Sequence, residues 1–368
     1  MSRIKIETIT PVHIGSGNIL KNNNDFVVDN EDIYIIDPAR ILQLIGEENL
    51  SSWVAIIERG GSQKEYVKSK AGATPDEYSL RKIESFCDVK GGDTLKECMH
   101  NGMGLPYIPG SSIKGAIRTA VLATLASREQ GLETLVKDNK GKVNSKQIEA
   151  KFFGGSPNED IFRFLQIGDA YFAKGSEVAI RMIMGLNITT SNDLQPQKTE
   201  KPQIVEAINE RIQSEFSIKK SLSHYEKVRE RGNIGEMPED IKTLENLFNT
   251  INNHTEKLVR QEIEFWQDIS DEGYIGAEDY IETMDGILSI IEKCHKNKGK
   301  ECVLRIGHAS GWRFITGAWS EKLNNFKRDI VPASRLKNIN YVGYEFPKSR
   351  RIDEEGFLLG FVKLSVIE

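Results

Sequence analysis

The first 45 residues carry short-range signals for strands, a hairpin and a helix. Arg3–Thr8 alternates apolar and polar residues, which predicts a strand. Two β-rich runs, Phe26–Val28 and Ile33–Ile36, flank four turn-forming residues and predict a hairpin. Asp37 followed by Pro38 has the pattern of an N-cap and a proline at N1. We therefore expect a helix from residue 38 to about residue 45.

A longer helix is predicted after a turn at residues 109–112. Apolar residues recur there at spacings that place them on one helix face, namely Ile113, Ala116, Ile117, Ala120, Val121 and Leu125. Before this helix, glycine pairs at 60–61 and 91–92 break the stretch 47–103, where short helices are expected. After it, residues 162–171 and 178–188 predict strands.

The pattern changes at about residue 196 and changes back at about residue 302. Charged residues recur at helical spacing around Ile204, Ile208, Ile212 and Phe216, and further helices are expected at 244–258 and 280–291. Strand character returns at 302–306, 340–344 and 357–366. This order favours the α+β class, with an N-terminal domain at 1–195, a helical segment at 196–301 and a C-terminal half at 302–368.

Composition and charge narrow the classes of function. The chain has 368 residues, of which 39% are hydrophobic, and a net charge of −5. Residues 198–301 hold 15 basic and 22 acidic side chains, whereas residues 305–351 hold 10 basic and 3 acidic ones. Because basic charge gathers near the C-terminus, the acidic total does not exclude a nucleic-acid partner. No apolar run approaches the roughly 20 residues of a membrane span, and no signal-peptide pattern is present, so we expect a cytoplasmic protein without membrane contact.

The four cysteines, Cys87, Cys98, Cys294 and Cys302, do not have the close pairing of common zinc sites. We interpret them as reduced thiols. Cys87 and Cys98 with His100 could supply part of a metal site, but no fourth ligand is evident, and we predict no metal and no cofactor.

The turn from Pro109 to Arg118 is the most informative stretch for binding chemistry. Gly110 permits a tight turn, and Ser111 or Ser112 can cap the helix, whose first N–H groups attract anions. Lys114 and Arg118 share a face because they are four residues apart, and Gly115 between them permits close approach. Either this turn binds phosphate, or it is a capped amphipathic helix with solvated charges.

A second loop, His13-Ile14-Gly15-Ser16-Gly17, follows the first predicted strand. Two glycines and a serine can form a nest of N–H groups that binds an anion. His13 is either a hydrogen-bonded structural or RNA-contacting residue, or an acid–base group in RNA cleavage. Asp25 is the alternative candidate for cleavage, and no second histidine lies near His13 in the sequence.

Basic and aromatic residues near the C-terminus form a third group of candidates. The stretch 305–313 contains Arg305, Gly307, Ser310, Gly311 and Trp312, and the Trp312 ring can either stack on a base or lie in the core. A compact basic cluster follows, with Lys348, Arg350 and Arg351, ahead of a glycine-containing strand edge with Gly360 and Lys363. No nucleophile elbow, zinc-protease helix or dinucleotide-binding glycine motif is present.

These blocks together resemble the RAMP superfamily of CRISPR-associated proteins. The resemblance rests on Thr10–Gly17, Tyr107–Ala120, Ile167–Ala170, Gly307–Gly311 and Gly360–Lys363, in the family's order. The Pro109–Gly115 block with Arg118 is the most specific of them. The length and the segment 347–351 favour the fifth-subunit branch of the Csm-type members of type III-A systems.

The resemblance implies two ferredoxin-like (RRM-like) halves with a helical insertion, and a non-catalytic subunit that binds near the 3′ end of CRISPR RNA and takes part in its maturation. The implied partners are CRISPR RNA, other Csm or RAMP subunits, above all a neighbouring backbone subunit, and host nucleases. A RAMP-type endoribonuclease that uses His13 or Asp25 is the alternative. The implied RNA-binding residues are His13, Gly15, Ser16, Gly17, Ser111, Ser112, Lys114, Gly115, Arg118, Arg305, Gly307, Ser310, Gly311, Trp312, Lys348, Arg350, Arg351, Gly360 and Lys363.

Overall fold

The fold was analysed in a computed structural model of the chain. It describes residues 1–136, 145–173, 177–187, 202–232, 234–271, 278–331, 346–347 and 349–367. The strands are β1 (Ser2–Thr8), β2 (Gly15–Lys21), β3 (Phe26–Asp29), β4 (Asp32–Ile36), β5 (Ser79–Ser85), β6 (Thr94–Cys98), β7 (Tyr107–Ile108), β8 (Leu165–Ile167), β9 (Ala170–Tyr171), β10 (Val178–Asn187), β11 (Gln203–Ile208), β12 (Gln213–Lys220), β13 (Glu301–Arg305), β14 (Ser349–Ile352) and β15 (Phe361–Val366).

The α-helices are α1 (Pro38–Ile45), α2 (Leu50–Glu58), α3 (Gln63–Ala71), α4 (Pro75–Tyr78), α5 (Gly110–Arg128), α6 (Lys146–Phe153), α7 (Leu222–Glu230), α8 (Glu239–Lys242), α9 (Leu244–Asp271) and α10 (Glu278–Lys296). Short 3₁₀ and π-helical turns cover much of the stretch 312–330. No helix of the described ranges is both long and apolar enough to cross a bilayer.

Two sheets organise these elements into an α+β protein. One sheet has the strand order β13-β15-β1-β12-β8, and all of its neighbouring strands are antiparallel. The other follows the order β2-β6-β11-β10-β5-β4-β3, with β14 paired to β10. The α+β class is therefore confirmed. Because β15 pairs directly with β1, the last strand of the chain completes the sheet that the first strand begins.

The apolar stripe predicted for α5 is confirmed as part of the main core. Ile113 and Ile117 are fully buried in one cluster with Ile4 and Ile6 of β1. Each such side chain stabilises the fold by about 1.5–3 kcal/mol through the apolar surface it removes from water. Packing of this stripe fixes the orientation of α5, and with it the positions of the charged residues at its start.

The short-range predictions at the N-terminus are also confirmed. The β3–β4 hairpin pairs Phe26 with Ile35. Asp37 caps α1, since its carboxylate accepts hydrogen bonds from the backbone N–H groups of Ala39 and Arg40. Pro38 stands in the first turn, where its missing N–H costs nothing.

The helix expected around residues 204–216 is wrong, because this stretch forms β11 and β12. A spacing of four residues puts side chains on one face of a helix, but it is also a multiple of two and puts them on one face of a strand. β11 is buried along nearly its whole length, and its polar residues Gln203 and Glu206 are three positions apart, so they do not reveal a period of two. The helices expected at 244–258 and 280–291 are confirmed in α9 and α10. The strand expected at 340–344 lies outside the described residues.

Candidate nucleic-acid interface

Three loops that are far apart in the sequence meet where β1 and β13 end and β15 begins. The backbone N–H of His308 donates to the carbonyl of His13 at 2.9 Å. The N–H of Gly360 donates to the carbonyl of Pro11, and the N–H of Ile306 donates to the carbonyl of Gly360, both at 2.8 Å. The structure therefore brings together the glycine-rich loops that were predicted separately at 13–17, 307–311 and 360.

The glycines at these contacts are required by the close approach of the backbones. A Cβ at Gly307 would lie 2.5 Å from the carbonyl oxygen of His13, and one at Gly360 would lie 2.2 Å from that of Ile306. Gly17, Gly307, Gly311 and Gly360 also have φ between +79° and +93°, a region that other residues rarely adopt. Side chains other than hydrogen would push the loops apart.

A cavity of about 290 Å³ lies between the first and second of these loops. It is lined by His13, Gly15, Gly17, Asn18, Ile19, Lys96, Glu97 and His308. Ser16 belongs to the same loop, and its hydroxyl lies 3.2 Å from the Glu97 carboxylate. The cavity combines a cation, hydrogen-bonding groups and uncovered glycine backbone, which is a set of groups that suits a nucleotide better than an apolar ligand.

Two histidines that are 295 positions apart lie side by side in the wall of this cavity. The rings of His13 and His308 are edge to face, with centroids 5.7 Å apart. His13 is only 2% exposed. Burial lowers the pKa of His13, and burial followed by the charge of Lys96 lowers the pKa of His308 to about 4. Sequence proximity gave no indication of this pair.

Stability should fall as the pH drops from about 6.5 towards 4. Burial lowers the pKa of His254 on α9 to about 4, as it does for His308, whereas both titrate near 6.5 when unfolded. Between these pH values the unfolded chain binds more protons, so acid favours unfolding. Asp353 acts in the opposite direction, since burial raises its pKa from 3.8 to about 6. Because the histidines outnumber it, we expect a net loss on the order of 2 kcal/mol.

Urea unfolding at pH 7 and pH 5 measures this dependence. His308→Gln should reduce the difference between the two free energies of unfolding, whereas replacement of the exposed Lys68 should not. A stability that is constant or rises towards pH 5 would contradict the buried neutral state of these histidines.

Behind the cavity lies a buried polar cluster that sequence reasoning missed. Glu206 of β11 is fully buried, and its carboxylate contacts Arg81 at 3.1 Å and His100 at 3.3 Å. Arg81 also contacts Glu97 at 2.9 Å. Burial raises the pKa of Glu206, but the hydrogen bond from His100 and the charge of Arg81 outweigh it and hold that pKa below its ordinary value. The sequence signal for this cluster is Glu206, a carboxylate within the otherwise apolar run Ile204–Ile208.

The metal hypothesis for Cys87, Cys98 and His100 is wrong for the described residues. Glu97, His100 and Glu206, and not the two thiols, are the group whose possible ligand atoms come within 4.8 Å of one another. Arg81 supplies the positive charge among these carboxylates. Burial raises the pKa of the Cys98 thiol to about 12, which disfavours the thiolate that a metal would need.

The start of α5 differs from the predicted serine cap. Pro109 is the N-cap residue, and the N–H of Gly110 donates to the carboxylate of Asp169 at 2.7 Å. Ser111 or Ser112 was expected to cap the helix, which is wrong, since neither side chain makes a capping hydrogen bond. A Cβ at Gly110 would lie 2.1 Å from the carbonyl oxygen of Ile167, so only glycine lets the helix start this close to β8.

Lys114 and Arg118 lie on one helix face as predicted, but their surroundings differ. Arg118 Nη1 donates to both carboxylate oxygens of Asp160 at 2.9 and 3.0 Å, and the guanidinium lies over the ring of Phe153, 4.2 Å from its centroid. Lys114 has no ion pair within the part of the chain that the structure describes. Burial lowers the pKa of Lys114, and Gly115 beside it is exposed. Lys114 is therefore the better placed of the two cations for an external phosphate.

Arg305 and Arg350 were predicted to contact RNA, but their guanidinium groups are buried and bonded within the protein. Arg305 is 5% exposed and donates to the carbonyl of Leu359 at 3.0 Å, which holds the third loop in place. Arg350 is 4% exposed and pairs with Glu262. These two cations stabilise the fold, because a buried charge needs a partner inside the protein.

The other C-terminal candidates have mixed environments. Trp312 packs against Phe326 and Phe346 with ring centroids 4.8–5.4 Å away, which is the core-like alternative. Ser310 is buried, whereas Lys363 and Arg351 are partly exposed on β15 and β14. Lys348 lies outside the described residues. Among the catalytic alternatives, Asp25 accepts a hydrogen bond from the backbone N–H of Lys21 at 2.8 Å and closes the turn between β2 and β3.

Comparison with known proteins identifies the class of this fold and loop arrangement. The family model described as the RAMP superfamily matches residues 5–279. Since the match covers most of the chain, the chain belongs to the RAMP superfamily.

Within that superfamily the chain is similar to Csm5 of type III-A systems. It is 27% identical over 182 residues to a Csm5 from Methanocaldococcus jannaschii, covering 47% of this chain and 43% of that protein. It is 23% identical over 184 residues to a Csm5 from Streptococcus thermophilus, covering 46% and 51%. The chain therefore matches about half the length of these relatives. The predicted resemblance to the Csm-type fifth subunit is confirmed.

Solved structures show the same fold over the whole chain. A chain of the Csm–crRNA–target RNA ternary complex of a type III-A CRISPR-Cas system has a TM-score of 0.70 and 21% identity, with complete coverage of both chains. The crystal structure of T. onnurineus Csm5 has a TM-score of 0.62 and 20% identity, covering 97% of this chain and 99% of that one.

Proposed function

We propose that this protein is an RNA-binding subunit of a type III-A (Csm-type) CRISPR ribonucleoprotein, which holds CRISPR RNA near its 3′ end and takes part in its maturation and in antiviral defence. The observation that carries the proposal is the meeting of the loops 13–17, 307–311 and 360, with a cavity lined by Lys96 between the first two. Uncovered glycine backbone lets an RNA backbone approach closely, and a cation beside it neutralises phosphate.

The partners follow from the same proposal and from the similar proteins. The similar ternary complex contains Csm, crRNA and target RNA. We therefore propose CRISPR RNA and neighbouring Csm subunits as partners, in particular a backbone RAMP subunit. Host nucleases that trim the RNA 3′ end are a further proposed partner.

We also propose a ferredoxin-like scaffold for the interface. β1 and β8 run parallel with α5 between them in the chain, and β12 and β15 run parallel with α9 between them. The order β8-β12-β1-β15 with these crossovers has the connectivity of a ferredoxin-like unit. This unit draws strands from both segments expected to form separate halves, 1–195 and 302–368.

The first glycine loop and the basic turn are linked by the backbone. The N–H of Met99 donates to the carbonyl of Ile14 at 2.8 Å, and the N–H of Tyr107 donates to the carbonyl of Met99 at 3.0 Å. Two backbone hydrogen bonds through Met99 therefore connect this loop to Tyr107, just before the start of α5. We propose that an RNA strand bound at the glycine loop continues towards Lys114 at the start of α5.

Lys114→Ala should weaken binding of single-stranded RNA and flatten its salt dependence. Each phosphate neutralised on a single strand contributes about 0.7 to the slope of log K against log salt, so the slope should fall by about that amount. Arg118→Ala should leave the slope unchanged and instead lower stability, because Arg118 is bound to Asp160. Fluorescence anisotropy from 50 to 400 mM salt checks both; equal slopes for Lys114→Ala and the wild type would refute the phosphate contact.

We propose that the subunit holds RNA without cutting it. Cleavage assigned to His13 or Asp25 is the rival, and incubation of the purified protein with CRISPR RNA decides between them. Intact RNA supports the holding role. Cleavage that His13→Ala or Asp25→Ala abolishes would replace it with an endoribonuclease.

A further inference from the structure

The hydrogen bond at His13 fixes which ring nitrogen carries the proton. His13 Nδ1 lies 2.7 Å from the backbone carbonyl oxygen of Glu206. A carbonyl oxygen only accepts, so Nδ1 is the donor, and in the neutral ring Nε2 is left as an acceptor. Within the described part of the chain, Nε2 has no hydrogen-bond partner. The acceptor belongs to a residue that lines the cavity.

Gly15 leaves this acceptor uncovered. A Cβ at position 15 would lie 3.2 Å from His13 Nε2, tighter than an ordinary contact. Unlike Gly17, Gly15 does not have a positive φ, so its backbone conformation is open to any residue. A side chain at position 15 would therefore act by blocking access to Nε2 and not by changing the backbone.

His308, which lines the cavity beside His13, is also held by a hydrogen bond that fixes its tautomer. Lys96 Nζ lies 2.6 Å from Gln203 Oε1, and His308 Nε2 lies 2.9 Å from the same oxygen. Because the ammonium group only donates, this atom of Gln203 is the acceptor oxygen, and His308 Nε2 must donate to it. His308 Nδ1 is then a second acceptor. The cavity is therefore lined by two neutral imidazoles, each with one acceptor nitrogen, by the cation of Lys96, and by Glu97, whose carboxylate accepts hydrogen bonds from Ser16, Asn18 and Arg81.

A ligand for this arrangement must bring a hydrogen-bond donor next to an anionic group. In a nucleic-acid strand the sugar that carries such a donor is ribose, whose 2′-hydroxyl is on the carbon next to the one that carries the 3′-phosphate. We propose that the cavity recognises the ribose of one RNA nucleotide, with the 2′-hydroxyl donating to His13 Nε2 and the adjoining phosphate beside Lys96. This inference rests on the RNA binding proposed above and adds selection of RNA over DNA, which the 2′-hydroxyl provides.

Binding of matched single strands to the full chain tests the proposal. The probes are a fluorescein-labelled single-stranded RNA and the DNA of the same sequence with uracil kept as its base, measured by anisotropy. The wild type should prefer RNA by about three- to tenfold, as expected for one neutral hydrogen bond. His13→Ala should lose most of this preference by weakening RNA binding, with DNA binding nearly unchanged.

Gly15→Ala separates access to Nε2 from the presence of the histidine. It keeps the imidazole but covers its acceptor, so it should also abolish the preference for RNA. Gly102→Ala is the matched control, because a Cβ there meets nothing within 4 Å and its φ is not positive. Circular dichroism confirms folding of each variant, and Gly15→Ala alone decides the question if His13→Ala does not fold.

The outcomes distinguish this inference from the proposed function. Equal binding of RNA and DNA by the wild type would overturn sugar recognition while leaving nucleic-acid binding intact. A preference that survives both His13→Ala and Gly15→Ala would also overturn it. Failure to bind either strand would refute the proposed function itself. Cleavage of the RNA probe at one site, lost in His13→Ala, would make His13 a catalytic base instead of a specificity residue.

Discussion

Replacing Glu262 by alanine should lower the free energy of unfolding by about 3–5 kcal/mol. Glu262 on α9 is 1% exposed and lies between two buried arginines. Arg350 contacts it through Nε and Nη2 at 2.5 and 2.9 Å, and Arg313 contacts it through Nη1 at 2.5 Å. Tyr280 donates a further hydrogen bond at 2.7 Å. Removal of the carboxylate takes from Arg350 its buried ion-pair partner and leaves Arg313 with Glu321 alone.

The charge state of Glu262 supports a large effect. Burial opposes ionisation, but the charges of Arg350 and Arg313 outweigh it and lower the pKa of Glu262 to about 2. Because this pKa lies below the ordinary value of 4.5, the contribution of the carboxylate is present above about pH 4.5 and is lost as the pH falls towards 2. Acid should therefore destabilise the wild type in this window more than it destabilises Glu262→Ala.

Urea unfolding followed by tryptophan fluorescence measures the loss, with Trp266 beside Arg350 as one reporter. Glu264→Ala is the matched control, since Glu264 is exposed on the same helix, and it should change stability by less than about 0.5 kcal/mol. Hydrogen exchange should rise at β14, which carries Arg350. A loss below about 1 kcal/mol for Glu262→Ala would show that the arginines find other partners.

The parts of the fold that sequence patterns predicted are those fixed by neighbours in the chain. Asp37 and Pro38 specify the start of α1 through contacts within three residues. The apolar stripe of α5 specifies its buried face in the same way. By contrast, β11 was assigned to a helix because a spacing of four satisfies both periods, and only its position inside a sheet decides between them.

The candidate site was predictable as separate loops but not as an assembly. The glycine-rich loops at 13–17, 307–311 and 360 were predicted as separate RNA-binding candidates, yet the contacts of Gly307 and Gly360 depend on β15 pairing with β1 across the length of the chain. The partner of Arg118 could not be predicted either, because Asp160 lies 42 residues away. Spacing identifies a shared helix face, but it does not determine whether a cation on that face meets a ligand or a carboxylate.

Gly360→Ala should lower the free energy of unfolding by about 2–5 kcal/mol and remove most RNA binding. Two costs combine at this position. An alanine at φ +93° is strained by about 1–2 kcal/mol. Its Cβ would also lie 2.2 Å from the carbonyl oxygen of Ile306, and relief of that overlap costs about 1–3 kcal/mol more.

Gly356→Ala measures the cost of the positive φ alone, because Gly356 has nearly the same φ as Gly360 but no close neighbour. Gly356 has φ +91°, and the nearest atom to its Cβ would be a carboxylate oxygen of Asp279 at 4.0 Å. We expect this control to lose about 1–2 kcal/mol and to keep its RNA affinity. Equal losses in urea unfolding would assign the whole effect to φ and would contradict a tight contact at Ile306.

The effect of Gly360→Ala on RNA follows from the hydrogen bonds at this residue. Its N–H donates to the carbonyl of Pro11, and its carbonyl accepts from the N–H of Ile306. Gly360 therefore joins the segments that lead into the other two loops. A displaced backbone at 360 moves His13 and His308 relative to each other and changes the cavity between them. Anisotropy at a temperature where the variant is still folded should therefore show weaker RNA binding; unchanged affinity would mean that the three loops need not be held together to bind RNA.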